Sequence, residues 1–174
     1  MVYAFTGSTM SLGLHLALSK QDVTRIEGFA DPDELALFIS GDLEERYIDD
    51  ARWSCQTDKA WDAIHRCLGN GMLVYGEGPF PLAYAVLGGR ALAAGEDCTA
   101  CLVDAPKVPE TSRALAMVTR AWFEERYRTL RDTDYAGPVT SQDCEHTWGY
   151  FEALRAFYAK AANAGRAVLF TTDG

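Results

Sequence analysis

The chain changes hydrophobic period several times, and each change marks an element. Leu12, Leu14, Leu16 and Leu18 alternate with Gly13, His15 and Ala17, the period of two of a half-buried strand, so His15 is expected on the face opposite the leucines. Ser19 with Asp22 three residues later predicts a short helix through Ile26, because the serine hydroxyl accepts an orphan amide hydrogen. Asp31-Pro32-Asp33-Glu34 predicts a second start, with a cap, a proline in the first turn and an acid behind it. Leu35, Phe38 and Ile39 form its apolar face, and Asp42, Glu44, Glu45, Asp49 and Asp50 predict a solvated stretch beyond.

From Thr57 to Leu68 the period is helical: Trp61, Ile64 and Leu68 recur at three and four residues, Asp58 falls in the expected first turn and Gly69 closes the end. Asn70-Gly71 and Gly76 to Pro81 read as loop, and the apolar run Leu82 to Leu87 fits helix or strand. Leu102 and Val103 suggest a strand. Pro106 and Pro109 lead into a predicted helix from Glu110 to Arg131 carrying Leu115, Val118, Trp122 and Leu130. Thr140 with Asp143 opens a long helix with Trp148, Phe151, Leu154 and Tyr158 inward, stopped at Gly165, and Ala167 to Thr172 is a β-rich final strand.

Composition narrows the function classes. At 174 residues and 48% apolar content, with no internal repeat or linker-like tract, the elements are expected to share one core. Sixteen basic against 25 acidic side chains leave a net charge of −9, a field that repels phosphate backbones and anionic lipid heads, so neither nucleic acid nor membrane is an expected partner. The opening MVYAFTGSTM lacks the pattern of a signal peptide, and a cytoplasmic protein is expected. Five cysteines then read as reduced thiols. Cys98 and Cys101 make one CxxC, short of the four ligands of a structural zinc; Cys55, Cys67 and His65 complete a set only if the fold gathers them, so no metal or cofactor is expected.

Three segments carry a resemblance: Thr57-Asp-Lys-Ala-Trp-Asp-Ala-Ile-His-Arg-Cys-Leu68, then Pro81-Leu-Ala-Tyr-Ala-Val-Leu-Gly-Gly89, then Phe151-Glu-Ala-Leu-Arg155 with Gly165-Arg-Ala-Val-Leu-Phe170. With Asp134-Tyr-Ala-Gly-Pro138 and Thr147-Trp148 between them, they are similar to the YfbM-like family of small bacterial proteins of unknown function. The likeness runs from Met10 to Thr172, and Cys55-Gln56 replaces a more acidic lead. It implies residues 1–9 as an N-terminal extension, 10–174 as the domain, and an α+β fold: a small mixed sheet surrounded by helices. It transfers no catalytic residue, and a fold does not supply a function.

The candidate chemistry is therefore read from side chains. Asp58, Lys59, Trp61, Asp62 and His65 are expected on adjoining helical faces, with Asp62 placed to orient His65 as a general base or ligand and Trp61 as a stacking platform. The more ordinary reading makes Trp61 core, Asp58 a favourable first-turn charge and His65 a buried hydrogen-bonding group. Cys67 and His65, like Cys144 and His146, sit two apart and face different helix sides. Neither a P-loop, HExxH nor GxSxG occurs.

Two functions from different classes follow, and whether the chain is an enzyme stays open between them. The first is a protein-binding module, immunity-like or a regulatory inhibitor, with Trp53, Tyr75, Phe80, Tyr135 or Tyr150 as aromatic anchors. The second is a small-molecule-binding protein or acid/base enzyme whose pocket gathers His15, His65, Asp58 and His146. A homo-oligomeric structural protein is a third.

Overall fold

The computed structural model describes residues 11–76, 78–95 and 98–173; the extension expected at residues 1–9 lies outside them. Five strands form one sheet in the order β2-β1-β5-β4-β3: β1 (Gly13–Leu18), β2 (Ser54–Asp58), β3 (Arg90–Ala91), β4 (Cys98–Val103) and β5 (Ala167–Asp173). The helices are α1 (Lys20–Gly28), α2 (Pro32–Leu37), α3 (Glu44–Tyr47), α4 (Ala60–Leu68), α5 (Val108–Met117), α6 (Arg120–Thr129) and α7 (Ser141–Asn163). The fold is α+β, as expected, but every pairing is antiparallel, which corrects the expected mixed sheet. The helical excursions from β1 to β2 and from β4 to β5 each bring the chain back to the end of the sheet it left, so strands joined this way pair antiparallel.

The sheet is covered on both faces. Leu14, Leu16 and Leu18 of β1, Ala100 and Leu102 of β4, and Ala167 and Leu169 of β5 pack under α1–α3 with Ile26, Leu35, Ile39 and Leu43. Alternate residues Ala17, Cys101, Val103, Val168 and Phe170 pack under α4–α7. β1 is therefore buried at all six positions, not half-buried as its alternation predicts, and Leu12, exposed, precedes the strand. Each fully buried leucine here stabilises the fold by about 2 kcal/mol.

The predicted caps are present. The Ser19, Asp31 and Thr140 side chains each accept first-turn amide hydrogens of α1, α2 and α7, and Thr119, which was not predicted as a cap, does the same for α6. Three predictions are corrected. Thr57 and Asp58 end β2 and do not open a helix, because Thr57 is drawn into the β1 edge, its hydroxyl donating to the Gly13 carbonyl. The helix predicted from Glu110 to Arg131 breaks between Met117 and Arg120, where Val118 is extended and Thr119 caps anew. The acidic stretch after Ile39 is not wholly solvated: a π-helical segment, Phe38–Leu43, and α3 turn Leu43 and Tyr47 into the core. Tyr47 and Arg46 donate to the buried Asp22 carboxylate at 2.7 Å each, tying α3 to α1. Burial alone pushes that carboxyl up, but donors from Arg46, Ser19 and Tyr47 hold it below the usual range.

Packing sorts the glycines sharply. A Cβ at Gly88 would lie 2.6 Å from the Ala83 carbonyl carbon, backbone that cannot yield, whereas one at Gly149, exposed within α7, meets nothing within 4 Å. Urea unfolding should show Gly88→Ala destabilised by about 2 kcal/mol and Gly149→Ala stabilised by about 0.5–1 kcal/mol; equal effects would contradict the packing described.

Candidate functional site

α4 is buried along almost its whole length: every residue from Trp61 to Leu68 is covered. Trp61 packs its ring 5.5 Å from Phe170 and donates its indole N–H to the Ser11 carbonyl at 2.8 Å. It serves the core, with no face left for stacking a ligand. Asp62 does not orient His65. Its carboxylate accepts from Arg66 Nε at 2.5 Å, because a long guanidinium four residues on reaches back where an imidazole three residues on, turned into the core, does not.

Arg66 is the residue that sequence reading missed. Its guanidinium is buried yet binds Asp62, the Gly71 carbonyl and Asp134, and it lies over the Tyr135 ring. Asp134 itself is 81% exposed. Burial pushes the Asp62 carboxyl up against the pull of Arg66, while the Arg66 hydrogen bond draws Asp134 down. The four-residue Asp-Arg spacing was the available signal.

His65 Nδ1 accepts the Leu87 amide N–H at 3.4 Å, and the ring lies beside the Val74 backbone. The imidazole thus joins the loop after α4 to the end of the segment Leu82–Leu87. Burial, then the Arg66 charge, lowers its pKa to about 4. His15 is wholly buried between Phe170 and Phe157; Nε2 donates to the Ala85 carbonyl at 3.0 Å, and Nδ1 faces the Cys55 backbone without a hydrogen bond. Its pKa is also lowered to about 4, by burial. Both histidines therefore hold the segment Leu82–Leu87 as neutral rings, His15 at Ala85 and His65 at Leu87.

Asp58 goes elsewhere. It is partly exposed at the end of β2, where the β1–β2 register shifts, and has φ +46°, the left-handed region. One carboxylate oxygen accepts the Lys59 amide hydrogen at 2.7 Å; the other accepts from the Tyr150 hydroxyl at 3.4 Å. His146, one turn before Tyr150 on α7, sets its ring perpendicular to the tyrosine at 5.0 Å. The fold thus joins Asp58 to His146 through Tyr150 and leaves His15 and His65 inside.

Four of the five thiols are poor nucleophiles. Burial pushes Cys55 to about 11 and Cys101 to about 12, with Cys67 and Cys144 also raised. Cys98 and Cys101 pack on opposite sides of β4, and among the described residues no three His, Cys, Asp or Glu side chains gather as metal ligands. A cleft of about 330 Å³, bounded by Leu18, Lys20, Val23, Asp104, Ala105 and Ala167, contains none of the predicted site residues. Of the aromatic anchors, Phe80 is exposed, while Trp53 lies under Arg166 and Tyr75 is bonded to the Leu92 and Ala100 backbone.

Residues 10–171 match the family described as "Domain of unknown function (DUF1877)". Among solved structures, the crystal structure of YfbM from Escherichia coli, a protein of unknown function, is similar at 18% identity over 92% of this chain and 99% of that one, with a TM-score of 0.63; at that identity the likeness concerns the fold. No curated protein matches.

The two lowered histidine pKa values have a signed consequence. The unfolded chain takes up protons below about pH 6.5 and the native rings only near pH 4, so stability present above pH 6.5 is lost as pH falls towards 4, up to about 3 kcal/mol per ring. The raised Asp62 carboxyl works in the opposite sense and trims the slope. Urea titrations at pH 7 and pH 4.5 should show the loss, and His65→Gln should shrink it; a flat profile would mean the rings are not neutral core groups.

Proposed function

The chain belongs to the DUF1877 family, and from that premise we propose that it works as a protein-binding module for a basic partner, in the manner of an immunity protein or regulatory inhibitor. The observation that carries this reading is where the charge lies. Residues 31–50 hold eight carboxylates against one arginine, seven of the nine net negative charges of the whole chain. Asp33, Glu34, Glu45 and Asp49 are exposed there and form no ion pair with the described residues. Two apolar side chains stand out on the same excursion, Leu37 at 72% and Ile48 at 44% exposure. Carboxylates steer a basic partner into encounter, and exposed aliphatic groups supply the apolar contact once water leaves.

Support for a pocket around His65 is weaker, because Nδ1 is engaged by the Leu87 amide and the ring is closed off from solvent. A catalytic imidazole needs a nitrogen within reach of a substrate proton.

Immobilised protein and a variant carrying Asp33→Lys, Glu34→Lys, Glu45→Lys and Asp49→Lys test the proposal against lysate of the native host. The wild type should retain a basic protein whose association slows by about tenfold or more on raising salt, and the variant should not retain it. Retention of no basic protein, or equal retention by both, would overturn the reading.

A further inference from the structure

We propose that Asp58, Tyr150 and His146 form a binding corner for a guanidinium group, the side chain of an arginine presented by a partner; the inference rests on the reading of a basic protein partner and names one of its anchors. The starting observation is the Asp58 backbone, the only non-glycine residue with positive φ among those described. Glycine would satisfy this turn at the bulge without strain. Aspartate also adopts this region, and the side chain it places there is a carboxylate turned to α7, 3.4 Å from the Tyr150 hydroxyl.

The neighbouring rings supply the rest. Tyr150 and His146 stand at 84° with centroids 5.0 Å apart, two walls of a corner; His146 is exposed, and Tyr150 and Asp58 are partly so. A planar guanidinium fits this set: its face lies on the tyrosine while its N–H fork donates to the Asp58 carboxylate. Lys59 N–H occupies one Asp58 oxygen, but a carboxylate oxygen accepts more than one donor. The charged residues next to these three in the chain are the exposed Lys59, which opposes a cation, and Glu145, which is held by Arg120. An alkylammonium lacks the flat face and the fork, so arginine is favoured over lysine.

Titration of the full chain with N-acetyl-arginine amide, followed by backbone amide NMR, tests the corner directly. Saturable shifts should centre on Asp58, His146 and Tyr150, the lysine analogue should bind more weakly, and Asp58→Asn should raise Kd by about fivefold or more. Asparagine tolerates the left-handed region, so this variant keeps the fold, and its amide spectrum verifies that; Tyr150→Leu is the second variant and should weaken binding likewise. Scattered shifts, or shifts that Asp58→Asn leaves unchanged, would overturn the proposal. Probe binding without capture of any basic protein supports the corner and removes the partner; a captured partner without probe binding removes the corner alone.

Discussion

The constraint on which the architecture depends is that β1 and β5, at the centre of the sheet, are buried on both faces. An antiparallel sheet of this size can leave one face wet; this one cannot, because Leu14, Leu16, Leu18 and Leu169 cover one side while Ala17, Val168 and Phe170 cover the other. Two helical layers must then exist, and the chain supplies them in order, α1–α3 for the first and α4–α7 for the second. The same constraint forces His15, alternating with leucines on a central strand, into a core. A buried ring needs a partner, and the Ala85 carbonyl provides it.

Polar groups inside the two layers act as ties between segments distant in sequence. Asp22 gathers Ser19, Arg46 and Tyr47 and joins α1 to α3. Arg66 gathers Asp62, Gly71 and Asp134 and fastens two loops to α4. His65 and His15 hold the short 3-10 turn Leu82–Ala85 and the residues after it. Such groups are costly when left unpaired in low dielectric, so each is evidence about the fold before it is evidence about chemistry.

Much of the architecture was legible because it is written in local rules. Serine, aspartate and threonine caps announced three helix starts, and the alternation in β1 and the β-forming residues of β5 announced strands. Where tertiary contacts decided, local rules failed. Thr57 and Asp58 read as a helix start, but pairing with Gly13 drew them into β2; Thr119 was hidden inside an uninterrupted helical period until its cap was seen. The candidate site divided for the same reason. Trp61, Asp62 and His65 share α4 as predicted, yet a helix buried all round gives sequence spacing no way to tell a pocket from a core. Asp58 met His146 through Tyr150, a contact between residues 92 apart in sequence that no local pattern encodes.

What emerges is a division of labour: His15, Asp62 and His65, which look catalytic in the sequence, hold the core, while Asp58, His146 and most carboxylates of residues 31–50 reach the surface. The most direct test is the ¹⁵N imidazole spectrum of the native protein across pH 7.5 to 5.5. The account predicts His15 and His65 as neutral Nε2–H tautomers throughout, since His15 uses Nε2 as its donor and His65 Nδ1 accepts from Leu87. A His65 ring that titrates near 6.5 like an exposed imidazole would contradict it and return the site to α4.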